Sequence, residues 1–132
     1  MRNGRSFAKS KQFVIEPTEA DVIGAVTTFL NHSGWHTWRN NTHGIYNHIK
    51  KCYMKLAYQQ RGVPDILGFH KRSGRMLAVE VKIGSDTLSE EQHQFLSTLK
   101  KAKGYAFIAH TFDDFLEKYE RVQDRINEEL IP

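Results

Sequence analysis

The chain has 132 residues, 39% hydrophobic and 26% charged, which suits one compact domain and leaves no room for two. Eight Phe, five Tyr and two Trp with ordinary Gly and Pro counts exclude a disordered chain. Apolar stretches of only a few residues fall far short of the roughly 20 needed to cross a bilayer. No signal-peptide core opens the chain, so a soluble intracellular protein is expected. The formal charge of +4 is uneven: residues 1–110 hold 16 Lys/Arg and 8 Asp/Glu, residues 111–132 hold 3 and 7.

Residues 1–14 are basic and lack acids, and are expected to form a flexible arm able to touch phosphate. Thr18 with Asp21 resembles a capped helix start, and Val22, Ile23, Val26 and Leu30 recur at helical spacing, predicting a helix over 18–32 that Gly34 ends. Trp35–Arg39 has the aromatic and β-branched content of a short strand. The segment 40–61 opens on a turn signal, NNTHG, and continues as IYNHIKKCYMKLAYQQ, which fits a ragged helix or a long loop. The stretch Arg39–Arg61 holds five cations, Arg39, Lys50, Lys51, Lys55 and Arg61, and no acid, which suits a polyanion. The single cysteine, Cys52, makes no internal disulfide and reads as a small packing residue.

Residues 62–70 and 75–83 flank the turn Lys71-Arg-Ser-Gly74 and are predicted to pair as an antiparallel hairpin. Ser89-Glu-Glu-Gln92 is a capping box leading into a helix bearing Phe95, Leu96, Leu99 and Ala102, stopped at Gly104. Tyr105–His110 reads as a buried strand, and Thr111 with Asp114 caps a last helix carrying Phe112, Phe115, Leu116, Tyr119 and Val122. The predicted order is α-β-β-β-α-β-α.

Alternation along Met76–Ile83 sends Leu77, Val79, Val81 and Ile83 to one face and Glu80 and Lys82 to the other. If the hairpin closes at 71–74, residue 65 pairs with 80. Asp65 and Glu80 are then cross-strand neighbours with Cβ atoms about 5 Å apart. Two such carboxylates repel, and a hard divalent cation relieves the repulsion, usually held by one or two carboxylates with backbone oxygen, water and substrate phosphate. Lys82 on the same face can orient an attacking water or stabilise developing charge. Phosphodiester hydrolysis is the chemistry that fits.

Gly62-Val-Pro-Asp65 followed by Glu80-Val-Lys82 resembles the PD-(D/E)XK nuclease signature, and Leu88-Ser-Glu-Glu-Gln92 narrows the resemblance to the VRR-NUC (virus-type replication-repair nuclease) branch. The resemblance covers roughly residues 15–110. It implies an α/β, restriction-endonuclease-like fold, a central mixed four-stranded sheet flanked by helices. It further implies that Asp65, Glu80, the carbonyl of Val81 and Glu19 of the first helix bind Mg²⁺ or Mn²⁺. Lys82 would act on the nucleophilic water, and Gln92 would stand near the site, cap its own helix, or both. Glu19 is expected at the end of the first helix's buried stripe.

Arg39, His43, Lys50, Lys51, Lys55 and Arg61 are the expected DNA contacts. Trp35, Trp38 and Tyr46 read more readily as core than as base-stacking groups. Stand-alone proteins of this kind are typically bacterial or phage-encoded, act in the host cytoplasm, and resemble dimeric Holliday-junction resolvases. The expectation is a metal-dependent endonuclease for branched DNA working as a homodimer. The alternatives are a flap or general duplex nuclease and a non-catalytic nucleic-acid-binding module.

Overall fold

A computed structural model describes residues 16–40, 45–54 and 60–129; the expected basic arm lies outside the described residues. Helix α1, Glu19–His32, starts where Thr18 Oγ1 accepts from the Asp21 N–H and the Asp21 carboxylate accepts from the Thr18 N–H. This reciprocal cap satisfies two otherwise orphaned donors. Its stripe Val22, Ile23, Val26 and Leu30 is buried. Gly34, at φ +95°, turns the chain into β1, Trp35–Arg39.

Strands β2, Ile45–Asn47, and β3, Cys52–Met54, pair antiparallel as a separate two-stranded hairpin. The described middle of segment 40–61, residues 45–54, is therefore neither the helix nor the plain loop allowed by its sequence. Asn47 Oδ1 accepts from the N–H groups of Ile49 and Lys50, which builds the turn that lets this short polar stretch fold back on itself. Cys52 is exposed, correcting the expectation of a packing role: a three-residue strand in an isolated hairpin has no core to enter.

Strand β4, Ile66–His70, and β5, Met76–Val81, form the expected hairpin. It closes through His70 N–H to the Arg75 carbonyl and Gly74 N–H to the His70 carbonyl. β4 begins at Ile66, since Arg61 and Gly62 form a turn and Asp65 a bend ahead of it. Helix α2, Glu90–Lys101, carries the predicted capping box between Ser89 and Gln92. Strand β6, Tyr105–Ala109, and helix α3, Phe112–Glu129, complete the fold. With β2 and β3 the order has two more strands than predicted.

The main sheet runs β1-β4-β5-β6, antiparallel except for the parallel β5–β6 pair joined through α2. It is the expected mixed four-stranded sheet. Leu77, Val79 and Val81 of β5 and Phe107 and Ala109 of β6 pack with α1 and α3 into one buried cluster that includes Trp35, Phe115 and Tyr119. Trp35 Nε1 donates to the Tyr119 hydroxyl inside it at 2.9 Å, which satisfies both polar tips. The sheet's other face meets α2 over β5 and β6. At the outer edge of β6, Lys118 Nζ donates to the Ile108 carbonyl at 2.6 Å and so blunts an exposed strand edge.

Candidate active site

The hairpin register decides the centre of the molecule. Ile66 is opposite Val79, so Asp65 comes opposite Glu80, as the turn length implied. On the other side the Asn40 N–H donates to the Asp65 carbonyl at 2.7 Å. Asn40, Asp65 and Glu80 thus form one row across three strands.

Asp65 is held by its side chain as well, because its Oδ2 accepts the Val81 N–H at 2.8 Å. The same interaction frees a carbonyl. Lys82 N–H points to β6 and donates to the Ala109 carbonyl, so by alternation the Val81 N–H and C=O both point toward the β4 side. The residue opposite Val81 in this register is Pro64, which has no N–H to give. Gly62 completes the lead-in: at φ +78°, a Cβ there would lie 2.5 Å from the Glu91 main-chain carbon, so glycine lets the loop press against the first turn of α2.

Glu80 is 3% exposed. Its Oε1 accepts from Gln92 Nε2 at 3.1 Å and lies 3.7 Å from Lys82 Nζ, while its Oε2 is buried without a hydrogen-bond partner among the described residues. Burial, followed by the neighbouring Asp65 carboxylate, pushes the Glu80 carboxyl up to about 8, against the opposing pull of Lys82. Gln92 therefore fills both roles suggested for it, since its Oε1 accepts from the Ser89 N–H while its amide reaches Glu80. Lys82 is fixed at both main-chain ends, the second by its carbonyl meeting His110 Nδ1 at 3.0 Å.

Glu19 is exposed in the first turn of α1, not on the buried stripe as expected: the cap at Thr18 turns that first residue outward. It remains near enough to add to the repulsion felt by Glu80. Among the described residues no three His, Cys, Asp or Glu side chains gather closely enough to hold a metal between them. The orphaned Glu80 Oε2, the adjacent Asp65 and the Val81 carbonyl fit the other arrangement, in which two carboxylates and a backbone oxygen share the cation with water and substrate phosphate.

Arg39 is exposed at the end of β1, Lys50 and Lys51 are exposed in the β2–β3 turn, and Arg61 is exposed ahead of Gly62; His43 and Lys55 lie outside the described residues. Trp35 is fully buried, whereas Trp38 and Tyr46 are exposed, against their reading as core. Sequence reasoning missed Asn40, whose Nδ2 is buried without a partner among the described residues, because NNTHG signals only a turn. It also missed His110, whose contact with Lys82 spans 28 residues.

A family model of the VRR-NUC domain matches residues 37–113, more than half of the chain and all of the Asp65, Glu80 and Lys82 constellation. The chain belongs to the VRR-NUC family. VRR-NUC domains are nucleases of the PD-(D/E)XK type that act on DNA. No curated protein matches the sequence. Among the described residues of this VRR-NUC chain, no helix is long and apolar enough to cross a membrane.

Proposed function

We propose that this VRR-NUC protein is a Mg²⁺- or Mn²⁺-dependent endonuclease that hydrolyses phosphodiester bonds in branched DNA, in the manner of a Holliday-junction resolvase. The observation that carries the reading is the buried Glu80 Oε2, without a hydrogen-bond partner among the described residues, beside Asp65 and on the same face as Lys82. An orphaned buried carboxylate oxygen is costly unless a ligand meets it. Asp65, Glu80 and the Val81 carbonyl would hold the cation, which when bound lowers the pKa of water and neutralises charge on the phosphate. Glu19, exposed nearby, would act on that ion through water.

Lys82 holds its ammonium at the rim of the carboxylate pair, where it orients the incoming water and balances the charge that builds on the phosphoryl oxygens. Gln92 positions Glu80 by donating to Oε1, which leaves Oε2 for the ligand. Arg39, Lys50, Lys51 and Arg61, with His43 and Lys55, supply backbone contacts that favour a polyanion of any sequence. A homodimer would bring two such sites to the two strands of a junction.

The test compares cleavage of a four-way junction, a flap, a linear duplex and a single strand, with Mg²⁺, Mn²⁺ or EDTA, using wild type beside Glu80→Ala. Metal-dependent cutting confined to the junction and lost in the variant is the expected result. Preferential flap cutting would replace the resolvase reading with a flap nuclease. Binding without cutting under either metal would make the protein a non-catalytic module.

A further inference from the structure

The face of the sheet that carries Asp65, Glu80 and Lys82 continues past the site. Helix α2 covers it over β5 and β6; among the described residues, no helix packs on that face over β1 and β4. His36 and Trp38 of β1 and Phe69 of β4 stand there, sharing the face by register, since His36 is opposite Phe69 and Trp38 opposite Leu67. Trp38 and Phe69 are 42% and 40% exposed, a large apolar area to leave in water beside a site. Their rings form one group: His36 lies 5.1 Å from Phe69 at an interplanar angle of 32°, and Trp38 lies 6.1 Å from His36 and 6.4 Å from Phe69.

We propose that His36, Trp38 and Phe69 form a stacking platform for an unpaired base of the DNA strand whose phosphate occupies the Asp65–Glu80 site. The inference rests on the nuclease reading above and adds the state of the nucleotide beside the cut. Three observations select DNA as the occupant. The platform is continuous with the carboxylates: Asp65 lies two residues before Leu67 on the same face, so strand spacing and rise put the Trp38 backbone about 8 Å from that of Asp65. That span is the reach of one or two nucleotides. Exposed cations stand close by, Lys71 and Arg72 shortly after Phe69 and Arg39 at the end of β1, which complements a phosphate chain and not an apolar protein surface. Aromatic side chains also accept every base through its π-face, and only an unpaired base has that face free.

The two tryptophans make the test direct, because Trp35 is fully buried and indole emission sensitive to a ligand on the surface comes from Trp38. Emission of the full chain carrying Glu80→Gln, in EDTA, is titrated with a ten-nucleotide oligothymidylate, a flap and a fully paired duplex. Quenching by the oligonucleotide and the flap but not by the duplex is expected, and Trp38→Phe should remove the quenching while keeping most of the affinity. Trp38→Ala and, separately, Phe69→Ala should weaken single-strand binding about ten- to a hundred-fold and leave duplex binding within about two-fold.

Absence of Trp38-dependent quenching would overturn the proposal, as would equal loss on single strand and duplex. A change from dimer to monomer on sedimentation of Trp38→Ala would also overturn it, assigning the patch to a second copy of the chain. The nuclease reading fails separately. Quenching without cleavage by wild type under either metal would retain the platform and remove the catalysis, whereas metal-dependent cutting indifferent to Trp38 and Phe69 would do the reverse.

Discussion

Replacing Glu80 with Gln should stabilise the metal-free protein at alkaline pH. The carboxyl is buried against Asp65 and titrates near 8 in the fold, against an ordinary 4.5. Below 4.5 the proton is bound in both folded and unfolded chains. Between 4.5 and 8 the folded chain keeps a proton that the unfolded chain has lost, so the stabilising contribution of the neutral acid declines as pH rises and is gone above 8. At about 1.4 kcal/mol per pH unit the full span amounts to about 5 kcal/mol. Relaxation of the acid pair and entry of water reduce this to about 2–3 kcal/mol.

Gln stays neutral throughout, can still accept from Gln92, and can donate to Asp65. The variant should therefore match wild type near pH 5 and exceed it at pH 8 by about 2–3 kcal/mol, roughly 8 °C in Tm for a chain of this size. Thermal unfolding in EDTA at several pH values measures the difference. Mg²⁺ should then raise the Tm of wild type but not of the variant. A variant less stable than wild type at pH 8, or a difference that ignores pH, would refute the argument that Glu80 is a strained, ligand-seeking acid.

Three further outcomes follow from the same geometry. Lys82→Ala should lower the single-turnover cleavage rate about 10³-fold and leave junction affinity within about two-fold; undiminished cutting would remove Lys82 from the mechanism. Asp65→Asn should weaken Mn²⁺ binding by titration calorimetry about ten-fold or more, because it removes one of two charges on the site; an unchanged isotherm would contradict the ligand assignment. Replacing Lys50 and Lys51 together with Ala should reduce the slope of log affinity against log salt by about 2; an unaltered slope would make the β2–β3 turn a solvated surface.

What was legible in the sequence was what local rules carry. Thr18 and Asp21, and Ser89 and Gln92, mark helix starts through reciprocal caps that need no tertiary partner. The alternation of Met76–Ile83 shows which residues share a face, and the length of the 71–74 turn sets the register that joins Asp65 to Glu80. Those two facts, with Lys82 two residues along, bring Asp65, Glu80 and Lys82 together on one face. The segment 40–61 stayed ambiguous because its hairpin depends on one Asn47 side chain bonding two backbone groups, while its apolar residues follow no clear period.

Burial required the tertiary structure. Trp35 and Trp38 are three residues apart and alike in sequence, yet α1 and α3 cover one face of β1 and nothing described covers the other, so one ring is core and the other is surface. Glu80 becomes a perturbed acid only because the fold buries it beside Asp65, α2 delivers Gln92 to it, and Asn40 joins the site only because β1 pairs with β4. Spacing along a chain specifies which side chains share a face. Which of those faces is covered, and by what, is decided by the packing of elements far apart in sequence.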